Sequence, residues 1–344
     1  MKVTKKQIQI KNSFLKIARY IFFMLLTLPL NAANYVTVAT IGNRVPEVDK
    51  SSGMQGVVEQ VKGFWHKKLA QVFPDKPDLI VLPEFCDFAR GLTKKEKSEY
   101  LQVRQNQIVD FFASEAKTNS CYIAFGMQRA MEDGTWRNSC IIVNREGEIE
   151  GIYDKYFPTP DDIDAGIKAG TETPLIHCDF GSIGCAICFD LNFEEVRLGY
   201  ESLKPDILVF PSMYHGGLVQ SHWAYSCRSF FVGSMTFREI PSEIRDPLGE
   251  VVATKTNYFD FAVTTINLDS RLVHLGGGNW PKLTRMKEKY GKKVKIKEPG
   301  KLGAVLVSCE DNNMTVDEML KEFDIELLDD FFDVLNPILV RDQY

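Results

Sequence analysis

The chain is 344 residues long, 44% hydrophobic and 25% charged, with a formal net charge of −5. That length suits about two average domains or one large one, and the composition excludes disorder, a collagen repeat and a multi-span membrane protein. Residues 1–20 carry six Lys/Arg and no acid, leaving 35 basic against 46 acidic residues beyond them, a charge of −11; so acidic a body lacks the basic face that phosphates need and argues against a nucleic-acid partner.

The basic start runs into an apolar stretch, residues 20–30, and then Asn31-Ala32-Ala33-Asn34. A positive region, a short apolar core and small residues beyond it form the pattern of a secretory signal peptide. The apolar run falls short of the ~20 residues of a membrane span. The expectation is a leader over residues 1–33 and export to the periplasm or exterior, with membrane contact only through an uncleaved leader. The alternative is a buried N-terminal helix in a cytoplasmic protein. All eight cysteines (86, 121, 140, 178, 185, 188, 227 and 309) follow the leader without a framework spacing. In a chain this large they read mostly as small buried hydrophobes.

Residues 35–41 (YVTVATI) predict a strand. Val57, Val61, Phe64, Trp65, Leu69 and Val72 then recur at helical spacing after Ser51-Ser52-Gly53, which predicts an amphipathic helix. Residues 78–85 (DLIVLPEF) form a continuous apolar strand cut off by Pro83, and a polar-faced helix is predicted over 94–116. Residues 121–129, 137–144 and 149–156 read as strands, the last two joined by a hairpin turn at 145–148. A strand at 181–190, a helix at 193–204 and a strand at 206–212 follow, and the β pattern continues to about Asp269. Strands alternating with helices predict an α/β layered architecture, with one domain over 34–275 and a C-terminal extension over 276–344. Residues 281–301 carry nine Lys/Arg against two Glu, and residues 310–333 carry ten acids against one Lys. Such opposite charge favours docking the two segments on each other or on a second subunit. Thr315 and Glu318 form a capping-box pair that predicts a final amphipathic helix.

Three residues stand out by context. Glu84 follows the buried strand, Lys155 closes another, and Cys188 sits at a strand-to-helix elbow, where a nucleophile can be held exposed. A thiol nucleophile needs a base and donors for the oxyanion it creates, and Glu and Lys can supply them. Singly, each has a plain structural reading: a solvated Glu, an edge-guarding Lys, a core thiol. Jointly, in this order and 71 and 33 residues apart, they are distinctive. The segments LIVLPEF (79–85), IYDKYFPTPDD (152–162) and GSIGCAICFDLNFEEVR (181–197), followed by PDILVFPS, WAYSCRSF and IRDPLGEVVA, resemble the nitrilase or carbon–nitrogen hydrolase superfamily over about residues 35–270.

That resemblance implies a four-layer αββα sandwich, usually assembled as a homodimer or larger homo-oligomer. It implies Glu84 as general base, Cys188 as nucleophile, and Lys155 with the backbone N–H of Phe189 as oxyanion donors, with no cofactor and no metal. Family members commonly place a second Glu seven or eight residues after the Lys. Here Asp162, one methylene shorter, takes that place, or Asp164 does; if reach is limiting, Asp162→Glu should raise the rate. Cys185-Ala186-Ile187-Cys188 is formally C-x-x-C, but it has no second pair, no His-x-x-x-His accompanies it, and Cys185 falls on the strand, which argues against zinc or redox use. Tyr214 and His215, just past the end of the strand at 206–212, are expected to line the substrate pocket. Phe189-Asp190-Leu191 replaces the Trp-Glu-Asn of true nitrilases and is more like the amidase and carbamoylase branches. The expected substrate is a small linear amide or N-carbamoyl compound; nitrile hydrolysis and a catalytically weak exported binding protein are the alternatives.

Overall fold

The computed structural model describes residues 33–276 and 278–341, so the expected leader falls almost wholly outside the described residues. Two six-stranded sheets form the body. In spatial order the first holds Phe261–Asn267, Tyr35–Ile41, Leu79–Val81, Tyr122–Ala130, Trp136–Val143 and Ile149–Asp154. Its centre is parallel and its edges antiparallel. The second repeats that plan with Val251–Thr254, Glu243–Arg245, Phe230–Met235, Ile207–Ser212, Gly181–Cys185 and Ile176–Cys178.

Period-two alternation decides which side chains meet which layer. Val36, Val38, Leu79, Val81 and Ala124 of the first sheet join Ile183, Cys185, Ile207, Val209 and Val232 of the second in one buried cluster between the sheets. The intervening residues Ala39, Ile41, Ile80, Ile123 and Phe125 face outward onto the helix Gly53–Leu69 and the helix Gln107–Asn119, through Val57, Val61, Trp65 and Phe112. Leu208, Phe210 and Phe231 likewise meet Val196 and Tyr200 of Glu194–Leu203 and Trp223 of Leu218–Cys227. These are the four αββα layers.

The helix predicted over 94–116 is two helices, Lys94–Arg104 and Gln107–Asn119. Gln105 at φ 42° ends the first, and a left-handed residue cannot continue a helix. Six of the eight cysteines do behave as buried packing residues, and only Cys178 and Cys188 are partly exposed.

Beyond Asp269 a third sheet begins, Ser270–His274, Ala304–Cys309 and Val294–Lys297, all antiparallel. Its own core joins Val273, Val305 and Val307 to Leu283 and Met286 of the helix Trp280–Tyr290 and to Met319 and Leu320 of Val316–Glu322, whose N-terminus carries the Thr315–Glu318 capping box. The oppositely charged segments dock on each other: Lys282 meets Asp324 at 2.8 Å, Lys293 meets Asp311 at 2.6 Å, and Lys289 pairs with Glu322.

Candidate active site

Glu84, Lys155 and Cys188 come from three separate strand ends, and the two-sheet packing brings them together. Glu84 is 1% exposed at the end of Leu79–Val81 plus Leu82-Pro83. The neighbouring strand must approach it closely. A Cβ on Gly126 would lie 2.7 Å from Glu84 Cα and 2.9 Å from Pro83 O, so only glycine fits. Lys155 is the first residue after Ile149–Asp154, and its amide donates to Asn138 O at 2.8 Å.

The Lys155 ammonium donates to Glu84 Oε1 at 3.0 Å and to Asp162 Oδ2 at 3.0 Å. An ammonium has three N–H donors, so one remains. Burial pulls the Lys155 pKa down, but Glu84 and Asp162 outweigh it and the value is raised overall. Asp162 therefore reaches Lys155 despite its shorter arm. It does so because the short helix Pro160–Asp164 is capped by Thr159, whose amide donates to the same Asp162 Oδ2 at 3.0 Å. Asp164 is exposed.

Glu84 is held asymmetrically. Asn138 Nδ2 donates to Oε1 at 2.8 Å beside the lysine, whereas the buried Oε2 has no hydrogen-bond partner among the described residues. Thr236 Oγ1 fixes the Glu84 carbonyl at 3.1 Å. Asn138 and Thr236 escaped the sequence analysis. The one available signal was a polar Asn entering the apolar run Cys140–Val143.

Cys188 opens a 3-10 turn, Cys188–Asn192, that intervenes before the helix Glu194–Leu203. Its φ of 50° is left-handed, a strained elbow for a non-glycine residue. Asp190 braces it: the carboxylate accepts from Tyr153 Oη at 2.7 Å, Phe157 N at 2.7 Å and Ile187 N at 3.0 Å. Burial pushes the Asp190 pKa up to about 6 despite those donors. Burial and then the Glu84 charge push the Cys188 thiol up to about 12, with Lys155 and the Met213 backbone opposing. The Phe189 amide lies in the first turn, where a helix has no internal acceptor to offer, and its ring is largely exposed.

A cavity of about 540 Å³ adjoins the cluster, lined by Phe85, Asp162, Met213 and Thr236 among others. From the segment after Ile207–Ser212 it is Met213 that lines this cavity. Tyr214 and His215 follow it in the chain, and the Tyr214 phenol, pushed up to about 12 by burial first and then by Cys188, sits near the sulfur. Asn192 Nδ2 donates to Tyr214 Oη at 2.9 Å, and His215 Nε2 lies 3.0 Å from Glu243. Cys185 is buried in the core between the sheets, with Cys140 beside it. No group of three or more His, Cys, Asp or Glu among the described residues is arranged to hold a metal ion.

Residues 37–237 match the family described as carbon-nitrogen hydrolase. Curated relatives include the nitrilase and fragile histidine triad fusion protein NitFhit of Drosophila melanogaster, 23% identical over 57% of this chain and 43% of that protein. Another is the deaminated glutathione amidase of Dictyostelium discoideum, 25% identical over 57% and 78%. Nitrilase homolog 2 of Dictyostelium discoideum is 25% identical over 49% of this chain and 54% of its own length, so the match spans about half of that relative and of NitFhit. Among solved structures, Nit3 of Saccharomyces cerevisiae superposes with a TM-score of 0.57 at 17% identity, covering 69% of this chain and 91% of that one. An amidase from Nesterenkonia sp. AN1 gives 0.58 at 10% identity, covering 68% and 91%. At these identities the structural likeness concerns the fold.

Proposed function

This chain belongs to the carbon–nitrogen hydrolase family, and on that premise we propose that it cleaves a linear amide or N-carbamoyl compound through a cysteine thioester. Glu84 Oε2 takes the Cys188 proton as sulfur attacks the carbonyl carbon. The oxyanion so formed is met by the remaining Lys155 N–H and the Phe189 amide. Collapse expels ammonia or an amine, which carries the proton away from Glu84, and leaves the acyl group on sulfur. Glu84 then deprotonates water, which attacks the thioester and releases the acid and the free thiol.

The observation that carries this reading is the asymmetry of Glu84. Oε1 is occupied by two donors, while Oε2 is buried without one among the described residues. One oxygen is anchored and the other is free to move a proton. Such a carboxylate is costly to bury unless it is used.

The test is ammonia release from primary amides, N-carbamoyl compounds and nitriles by the protein and by its Cys188→Ala variant. Release by the former alone supports the thiol mechanism and names the substrate branch; equal release by both overturns it. Export through the leader and assembly as a homodimer or larger homo-oligomer belong to the same proposal. N-terminal sequencing of the secreted protein and sedimentation velocity test them.

A further inference from the structure

Glu84 stands where the chain leaves its strand, and the residue after it turns left-handed: Phe85 has φ 51°. A non-glycine residue keeps that conformation only where its surroundings impose it. Four contacts from three elements impose it here. Cys86 N donates to Gly126 O at 2.9 Å, and the Trp65 indole donates to Cys86 O at 2.6 Å. The helix Lys94–Arg104 supplies the other two from one face. Tyr100 Oη donates to Asp87 O at 2.6 Å, and the Arg104 guanidinium, one turn on, pairs with the Asp87 carboxylate.

Arg104 has a second partner. Its Nη2 donates to Gln128 O at 2.7 Å. Gln128 lies two residues along the strand Tyr122–Ala130 from Gly126, the residue that backs directly onto Glu84 Cα. The guanidinium therefore stitches the segment leaving Glu84 to the strand behind it.

Stability is a poor reason for this pair. Both charged groups are buried, and desolvating two charges consumes most of their attraction. Asp87 Oδ1 and Arg104 Nε have no partner among the described residues. Burial outweighs the guanidinium and leaves the Asp87 carboxyl above its ordinary pKa. What the pair does provide is a fork of fixed geometry, with one nitrogen on a carboxylate and one on a backbone carbonyl.

We propose that Arg104 is a positioning residue for the reaction: by clamping Asp87 to the Gln128 carbonyl it fixes the turn at Phe85, and with it the aim of the Glu84 carboxylate at Cys188. The proposal rests on the reading of Glu84 as the base for the thiol. With the clamp gone, the Glu84 backbone can withdraw while Asn138 and Lys155 still hold Oε1, and Oε2 swings off the sulfur.

The test reads the sulfur as well as turnover. After burial, the Glu84 charge is what holds the Cys188 thiol up. Iodoacetamide alkylation against pH, followed on the Cys188 peptide by mass spectrometry, therefore reports how closely Glu84 stands. Arg104→Met should lower the midpoint towards that of Glu84→Gln. It should also lower kcat roughly ten- to a hundredfold for whichever amide the wild type turns over. Added to Glu84→Gln, it should move the midpoint no further. Loss of a positive charge acting on the sulfur directly would raise the midpoint instead. Arg104→Lys keeps the charge without the fork, and should recover the wild-type melting temperature but only part of kcat. Lys297→Ala, which loosens the distant extension, should leave midpoint and kcat at their wild-type values.

If Arg104→Met, with Asp87 left alone, does not fold, Asp87→Leu combined with Arg104→Met buries no lone charge and carries the same readings. Unfolding of both makes the pair a support of the domain and overturns the proposal. A folded variant whose midpoint or kcat stays at the wild-type value also overturns it, and the hydrolase reading stands as long as the wild type turns over amides. A lowered midpoint where even the wild type turns over no amide supports the clamp on Glu84 while the hydrolase reading fails.

Discussion

Burial and Glu84 hold the Cys188 thiol protonated far above neutral pH, at about 12 against an ordinary 9.0. In the proposed mechanism the sulfur is accordingly deprotonated as it attacks. Removing the Glu84 charge should separate two effects that a plain loss of activity would merge. Glu84→Gln should abolish turnover, for want of a base, and yet lower the thiol pKa, for want of a repelling charge. The rate of iodoacetamide alkylation against pH reads this directly: its midpoint is expected to fall below that of the wild type. A midpoint that rises or stays put would mean that Glu84 does not face the sulfur. Asp162 yields the second prediction. Its Oδ2 serves Lys155 Nζ and Thr159 N together, each at 3.0 Å. An extra methylene must abandon one of them, so Asp162→Glu should lower kcat roughly ten- to a hundredfold, the scale of a displacement of about 1 Å. That sign is opposite to the one expected if reach were limiting, and a steady-state kcat decides between them.

The elbow from Ile187 to Asn192 is the element on which the site turns, and Asp190 holds it with three accepted hydrogen bonds. Its raised pKa, about 6 in place of 3.8, means that the folded state binds the proton more tightly than the unfolded chain. Between those two values stability should fall as pH rises, the reverse of a salt-bridged carboxylate. Asp190→Asn removes that titration but sets an amide against the Ile187 or Phe157 N–H, leaving a buried donor unmet at a cost of about 1–3 kcal/mol. Urea midpoints across that interval should therefore be lower for the variant and flatter with pH; parallel profiles would remove Asp190 as the titrating group. Much of this element was legible beforehand. Apolar runs marked the strands Gly181–Cys185 and Ile207–Ser212, and the Glu, Lys and Cys positions came from ordered motifs. What stayed hidden depends on contacts between distant segments. Asn138 matters because it meets Glu84, and Thr236 because it reaches the Glu84 carbonyl. Nothing local in either segment states that. The break at Gln105 was hidden for another reason: the residues around it are polar on both sides, so the periodicity that marks helices carries no phase information there.

Across the whole molecule, the C-terminal sheet and helices have their own apolar core, so what matters is how they are tied to the body. One tie is apolar: Leu248 meets Leu272, Ala304, Leu306 and Leu328. Two are electrostatic. Asp329 bridges Lys204 and Arg228, at 2.5 and 2.8 Å, and Lys297 reaches Asp246 at 2.5 Å and Glu250 at 2.9 Å. The Lys297 contact is the more consequential because the Asp246 side chain is only 3% exposed. Asp246 Oδ1 already accepts from Leu248 N and Glu250 N, closing the turn between Glu243–Arg245 and Val251–Thr254. Lys297→Ala would leave the other oxygen of a buried carboxylate unpaired, and about 1–3 kcal/mol should be lost. The control is Lys282→Ala, whose partner Asp324 is almost fully exposed; exposed pairs contribute about 0–1 kcal/mol. Thermal melts should show a drop of a few degrees for the first variant and next to none for the second. Far-ultraviolet circular dichroism and tryptophan fluorescence should still melt together in both. Three of the four tryptophans, Trp65, Trp136 and Trp223, lie in the body and Trp280 in the extension, so the two probes weight the units differently. If Lys297→Ala splits the transition, the extension is an independent folding unit held on by that ion pair; if neither midpoint moves, the apolar seam alone joins it to the body.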